Sequence, residues 1–399
     1  MPRRIRHDRE GIGGHLSTVT VRPVVTKADL QRFVDLPYLL NARDPNWVPP
    51  LRMDVSTILD RKKNPFFEHA VAEYFLAERD GKVVGRVAAN HNFLHNSTHE
   101  DKVGFFGFFE SIDDQAVTDA LLAASEAWIR ERGLDTLRGP ASFSVNDECG
   151  LLVDGFDTPN TLMMPHNPTY YQRLLERSGL VKSKDLLAYQ GGALDHVAPT
   201  PERLLRAVNL IMKRNGITLR QIDMKHFDAE VDLIKKLYNA SWEKNWGFVP
   251  MTDHEIEHLA KQFKPVVIPE LVVFAVKDGQ AVGFGLGLPD LNEVLRTNRN
   301  GTLIPALFKI LWKLKTKKLT RARIPLLGVT REFRGLGIDS ALYHWIWSKA
   351  GERGIGWGEG GWILEDNPAM NLGLQKMGFT VYKTYRMYDR PVRTTSPKP

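Results

Sequence analysis

Apolar and polar positions along this chain fall into two matching series. From Phe75 to Gly85, and again from Phe274 to Gly283, two apolar runs flank an Asp-Gly pair. That arrangement predicts a β-hairpin, because a tight turn needs residues that accept positive φ. Between Asp114 and Arg132, Val117, Leu121, Leu122, Ala124 and Trp128 recur at helical spacing, and Asp339 to Arg353 is the counterpart helix. Leu326-Leu327-Gly328-Val329 and Gly361 to Asn367 read as strands. Asn367-Pro368 then opens a helix that closes at Gly378-Phe379, as Asn167-Pro168 does toward Gly179-Leu180.

The offset between matching positions stays at 198 to 200 residues. It relates Gly81 to Gly279, Lys184 and Tyr189 to Lys383 and Tyr388, and Asn41-Ala42 with Trp47 to Asn239-Ala240 with Trp246. A chain of 399 residues exceeds one core of ordinary size. Two copies of one unit in tandem are therefore expected, over 18–190 and 215–391. A basic arm (1–17), a linker with a connecting helix (191–214, containing Gly191-Gly192 and Pro199 to Pro201) and a tail (392–399) complete the chain. Each copy predicts strand, helices, hairpin, strand, helix, strand, helix, strand, an α/β layered fold.

The second copy holds the most suggestive turn. Arg334-Gly335-Leu336-Gly337-Ile338-Asp339 delivers the strand at 326–329 to a helix N-terminus. Glycines let the backbone approach an anion, and the unpaired N–H groups with the helix dipole favour negative charge there. The loop lacks the P-loop pattern, and no acidic residue stands where a dinucleotide fingerprint needs one. The corresponding stretch of the first copy, Phe109-Glu110-Ser111-Ile112-Asp113-Asp114, is acidic and without glycine, so that copy is expected to have lost anion binding.

Composition changes this picture little. The net charge of +7 suits an anionic partner or plain solubility equally, and no nucleic-acid partner is expected. Cys149 is the sole cysteine, which excludes an internal disulfide and fits a reducing cytoplasm. It has no histidine partner by spacing and reads as a buried structural thiol. His91, His95 and His99 would align on a helix, but Asn92, Asn96 and Ser97 among them read as loop, and no metal site is expected. The N-terminus is basic without the apolar core of a signal peptide, and no run reaches about 18 apolar residues. Between 303 and 318 apolar residues and lysines alternate at helical spacing. This is either a helix lying on an anionic membrane, which would place the protein on the cytoplasmic face of the inner membrane, or a helix packed on its own domain.

The glycine turn resembles the R/Q-x-x-G-x-G/A loop of the GNAT N-acyltransferase superfamily, with Arg334, Gly337 and Asp339 in its three places. Asp339 departs from the small residue usual there, which is tolerable if its side chain turns outward or caps the helix. The Asn367 helix resembles the N-x-x-A-x-x-x-Y helix of the same superfamily, with Leu374 in place of the tyrosine that protonates the departing thiolate. Ser144 to Gly150, Asn239 to Trp242, Asn245 to Pro250 and Tyr382 to Tyr388 together resemble a bacterial tandem-GNAT group that includes the bacterial ceramide synthases.

That resemblance implies acyl-CoA as a co-substrate, no tightly bound cofactor, and an amine acceptor such as a sphingoid base. Acyl-CoA would lie on Leu327, Gly328, Val329, Arg334, Gly335, Leu336, Gly337, Ile338, Asp339, Ser340 and Asn367. A backbone N–H of the strand before the glycine turn, on which Gly328 and Val329 lie, would meet the developing oxyanion. Glu365 and Asp366 are the candidate bases, and Tyr382, Tyr385 and Tyr343 the candidate acids. Trp242, Trp246, Phe248, Asn146, Asp147 and Glu148 are the candidate acceptor-site residues. Three activities stay open: a long-chain N-acyltransferase forming a lipid amide, an N-acetyltransferase for a small amine or peptide, and a non-catalytic acyl-CoA-binding protein.

Overall fold

The structure is a computed structural model that describes residues 18–192, 202–242 and 245–392. The arm at 1–17, the Pro199 to Pro201 segment and residues 393–399 of the tail lie outside the described residues. The first half runs β1 (Thr20–Pro23), α1 (Lys27–Leu40), α2 (Arg52–Ile58), β2 (Ala70–Arg79), β3 (Lys82–Asn92), α3 (Phe93–His99), β4 (Val103–Ser111), α4 (Gln115–Arg130) and β5 (Thr136–Gly139). It continues with β6 (Ala141–Ser142), β7 (Glu148–Cys149), β8 (Leu151–Asp154), α5 (Tyr170–Arg177) and β9 (Val181–Gly192). The second half runs α6 (Glu202–Arg214), β10 (Ile217–Gln221), α7 (Phe227–Trp242), α8 (Asp253–Phe263), β11 (Val272–Lys277), β12 (Gln280–Pro289), α9 (Asn292–Leu295) and α10 (Leu303–Lys315). It ends with β13 (Arg321–Val329), α11 (Ile338–Glu352), β14 (Trp357–Leu364), α12 (Pro368–Lys376) and β15 (Thr380–Pro391).

Both Asp-Gly hairpins form, with Asp80, Gly81, Asp278 and Gly279 all at positive φ. Helix α4 starts at the Asp114 cap, whose carboxylate accepts from Ala116 N at 2.8 Å. Two expectations change. Residues 93–99 are helical because the Asn92 side chain caps them, accepting from His95 N. Phe109 to Ser111 belong to β4, so the acidic turn shrinks to Ile112–Asp114.

All strands but β6 and β7 join one 13-stranded sheet in the order β1-β2-β3-β4-β5-β15-β9-β14-β13-β12-β11-β10, with β8 beside β15. The last strand of each half lies in the other's territory: β9 pairs with β14, and β15 pairs with β5. These two exchanged strands pair antiparallel with each other, and Leu186 stands opposite Tyr385, its own counterpart at an offset of 199. A local two-fold axis thus passes through this pair. Separate cores form under each half, and a third, holding Phe105 and Leu152 with Leu364 and Met387, sits at the junction.

One feature of the sheet makes room for a site. Parallel β13 and β14 are paired only from Arg321↔Trp357 to Ile324↔Gly360. The next residue, Pro325, has no N–H to give a ladder, and β14 shifts register against β9 between Gly360 and Ile363. Beyond that point the two strands diverge and leave a wedge.

Candidate active site

A cavity of about 240 Å³ fills this wedge. Leu327, Gly328 and Val329 of β13 form one wall and Trp362, Ile363 and Leu364 of β14 the other. Arg334, Gly335, Ile338 and Asp339 stand at the glycine-turn end, and Asn367, Ala369 and Met370 bring α12 to the side. Gly335 and Gly337 adopt φ of 78° and 69°, a region where a side chain would cost about 1 kcal/mol or more. Gly337 is the N-cap of α11 and no side chain caps that helix, so its first N–H groups are presented at the turn. Arg334 ties the turn down, donating to Val329 O at 3.2 Å and to Ser241 O at the end of α7. Leu336 packs on the second-half core and Ser340 lies in the first turn of α11. Asp339 does not cap α11: its carboxylate points along α12, where a Cβ on Gly373 would lie 3.6 Å from it. Asn367 caps α12, accepting from Met370 N at 3.3 Å.

A second cavity, about 190 Å³ and mostly apolar, shares Trp242, Asn245, Pro325 and Trp362 with the first. Phe227, Val231, Ile234, Tyr238 and Trp242 form one stripe of α7, and Ile256, Leu259, Ala260 and Phe263 form one stripe of α8. Both stripes have helical spacing; they pack on Val272, Phe274 and Phe284 of the sheet and also line the cavity left between them. Leu286, Leu288 and Leu326 supply the floor. The sequence held these stripes openly, but periodicity alone does not separate a cavity wall from a packed core.

The first half closes the apolar cavity from the side with Val145, Asn146 and Asp147. Asn146 bridges the halves, donating to Val249 O at 3.0 Å and accepting from Tyr238 Oη at 2.7 Å. Asp147 accepts from Ser144 N and Oγ at 3.3 and 3.0 Å. Burial nevertheless pushes its carboxyl up to about 7, against the Ser144 bonds and with help from Glu255. Solvent reaches Glu148, yet the dense surroundings raise its carboxyl also, opposed by Arg323 and Arg86. Trp246 and Phe248 line the same cavity, and Arg138 lies 5.1 Å from the Trp246 ring. Burial holds the Cys149 thiol well above its ordinary value, in keeping with a structural thiol.

Sequence reasoning overlooked a buried ionic network where the strands part. Arg323 Nε donates to Glu359 Oε1 at 2.9 Å, Thr161 Oγ1 donates to the same oxygen at 2.8 Å, and the Tyr382 hydroxyl donates to Oε2. An acid set among glycines in the apolar run Trp357 to Leu364 is the signal that marks it. Burial and the Glu359 charge hold Tyr382 protonated; the Tyr385 hydroxyl is wholly buried nearby and likewise raised by burial. Neither lines the wedge or the apolar cavity. Tyr343 lines the wedge, and burial raises its hydroxyl as well. Glu365 and Asp366 sit in the turn after β14 and pair with Lys182 and Lys184 of β9, each at 2.6 Å, outside both cavities.

The matching place in the first half is filled. Tyr170 and Tyr171 stand where α12 has Met370 and Asn371. Tyr171 Oη donates to the half-buried Glu110 at 2.6 Å and accepts from Ser111 N at 2.9 Å, while Tyr170 Oη donates to Ser111 O at 2.8 Å. Asp113 pairs with Arg173 and Asp114 with Arg79. Among the described residues no group of His, Cys, Asp or Glu is placed to hold a metal ion.

No family model matches the chain. Over 378 residues it is 40% identical to the "Bacterial ceramide synthase" of Caulobacter vibrioides, covering 93% of this chain and 97% of that one. It is 36% identical to "Protein YghO" of Escherichia coli K12, at 93% and 95% coverage. A tandem GNAT protein from the clavulanic acid biosynthesis pathway superposes with a TM-score of 0.56 over 95% of this chain and 100% of the other, at 15% identity. A GCN5-related N-acetyltransferase from Sphaerobacter thermophilus gives 0.53 over 94% and 96%, at 16% identity. The fold is thus that of tandem GNAT proteins, and by its identity and coverage the chain belongs to the bacterial ceramide synthase family, as an N-acyltransferase.

Proposed function

We propose that the protein transfers a long-chain acyl group from acyl-CoA to the amine of a sphingoid-type lipid, forming a lipid amide. The observation that carries this reading is the apolar cavity that adjoins the glycine-turn wedge, the two sharing Trp242, Asn245, Pro325 and Trp362 as wall residues. A single water occupies roughly 10–15 Å³ of such space, so an acetyl group would leave most of the 190 Å³ empty. A fatty chain would fill it, lying against the α7 and α8 stripes. The name of the Caulobacter relative supports the same acceptor class.

In this reading the second unit (215–391) holds acyl-CoA, its pyrophosphate on the N–H groups from Gly335 to Asp339 and its pantetheine along the unpaired edge of β13. The first unit (18–190), its own turn filled by Tyr170 and Tyr171, shapes the acceptor side through Asn146, Asp147 and Glu148. The amine attacks the thioester carbon, and the carbonyl oxygen takes up charge opposite a backbone N–H of β13 in the Gly328-Val329 stretch. Glu365 and Asp366 are held by lysines away from the cavities, so the base role passes to Asp147. With a carboxyl near 7 it accepts the ammonium proton as the C–N bond forms, then returns it to the thiolate as the C–S bond breaks. The products are the amide and free CoA thiol.

A chain-length series tests this. Amine-dependent thiol release should be faster with palmitoyl-CoA than with acetyl-CoA, and Ala260→Trp, which fills the cavity from α8, should shift the preference to shorter chains. Turnover of acetyl-CoA alone would favour the small-amine acetyltransferase. Acyl-CoA binding without amine-dependent release would favour the non-catalytic reading.

A further inference from the structure

Helix α10 is apolar on two faces. Ala306 and Ile310 are buried and pack with Val48, Leu51 and Val294. Facing away, Ile304, Leu307, Phe308, Leu311 and Trp312 follow the spacing i, i+3, i+4, i+7, i+8 and stay exposed, Phe308 at 71% and Trp312 at 52%. A continuous aliphatic and aromatic stripe left open on a helix marks an interaction surface, whereas single exposed apolar residues do not.

Charge selects the partner. Residues 303–318 contain five lysines and no acidic residue. Glu293 pairs with Lys313, while Lys309, Lys315, Lys317 and Lys318 are exposed. Lys318 lies with its ammonium 4.8 Å from the centre of the Trp312 ring, so charge borders the apolar stripe directly. An apolar stripe edged by lysines matches the boundary between acyl chains and anionic headgroups. The surface also adjoins the site: Val266 packs against the seat of α10 while its neighbour Val267 lines the apolar cavity.

We propose that α10 docks the protein on an anionic lipid surface, with the Ile304 to Trp312 stripe among the acyl chains and the lysines on the headgroups. The inference rests on the reading of the protein as an enzyme of lipid substrates, and it places the cavity wall next to the bilayer.

Co-sedimentation of the full chain with phosphatidylcholine vesicles, with and without phosphatidylglycerol, tests it. The protein should pellet with the anionic vesicles and lose this binding at high salt. F308E/W312E should weaken binding by about tenfold or more, and K309Q/K315Q/K317Q/K318Q should remove the preference for phosphatidylglycerol. The changed side chains are exposed, so both variants should keep the parent melting temperature and the parent rate with a water-soluble short-chain thioester and amine. Equal pelleting of F308E/W312E and the parent overturns the proposal. So does a parent dimer that F308E/W312E dissociates without any vesicle binding, since the stripe would then join two copies. Docking without amide formation from any long-chain thioester would sink the catalytic reading and leave the docking surface standing. Amide formation without docking would do the reverse.

Discussion

At Asp147 burial and chemistry pull against each other. The carboxyl is raised to about 7 by burial, so the fold favours its protonated form. It contributes its full share of stability below the unfolded value near 3.9 and loses that share as pH rises through about 7. At pH 8 the ionised carboxylate costs the fold up to about 4 kcal/mol. Asparagine keeps an acceptor for the Ser144 bonds and cannot ionise. Asp147→Asn should therefore melt higher than the parent at pH 8 and approach it at acidic pH. Its amine-dependent rate should fall by about 100-fold or more, and the rising limb of kcat/KM near pH 7 should vanish. A variant that keeps this limb would assign the base elsewhere, with Glu148 the neighbour to examine.

Helix α8 is the element whose placement decides the apolar cavity, and it is fastened at its N-terminal turn. Glu255 accepts from Thr252 N at 2.9 Å within a capping box and meets His69 of the first half at 3.0 Å. Burial is the largest single influence on His69 and works against its charge, but the Glu255 bond and charge with the Asn92 bond together outweigh it, and the imidazole is raised above 6.5. For Glu255, burial is likewise the largest single influence but is outweighed by His69 and the Thr252 bonds together, and the carboxyl falls below 4.5. The His69 contribution is complete below 6.5 and fades as pH rises through its folded value. The Glu255 contribution is complete above 4.5 and fades as pH falls through its own. Amide exchange in α8, corrected for intrinsic rates, should therefore be slowest between these limits and quicken by roughly tenfold toward pH 9, a bond to a charged group being worth about 1.5–3 kcal/mol. His69→Gln should flatten that rise; an unchanged profile would show that the pair does not hold the helix. The elements read from the sequence were legible because they are local: Asp-Gly pairs set the hairpins, and a 3.6-residue stripe sets α4. The glycine turn was legible for the same reason. Glu365 and Asp366 were misplaced because the strand stops at Leu364, and their lysines, Lys182 and Lys184, arrive from a strand about 180 residues away that no local pattern announces.

Taken whole, the molecule is two copies that cannot be separated by a cut between them. Strand β15 stands between β5 and β9, and β9 between β15 and β14, so each half lacks a central strand without the other. The exchange reaches the cores. Tyr388 of β15 is buried in the first-half core and bonds Glu176 at 3.2 Å, while its counterpart Tyr189 of β9 is buried in the second-half core and bonds Asn371 at 3.0 Å. Removing either strand would strip a buried tyrosine, worth about 1.5–3 kcal/mol in apolar burial alone, and open two sheet edges. The repeat offset announces two copies but is silent on this exchange, since a strand's own pattern does not name its neighbour. Residues 1–192 and 202–399 expressed separately should therefore be insoluble or unfolded by circular dichroism, and co-expression should restore amine-dependent thiol release. The intact chain should melt in a single cooperative transition. Two resolved transitions, or a second half that folds and turns over acyl-CoA alone, would mean that the exchanged strands are not what joins the copies. A single transition would tie the acyl-CoA wedge, the apolar cavity and Asp147 of the first half into one folding unit, because β9 forms the border of β14 and β14 forms the border of the wedge.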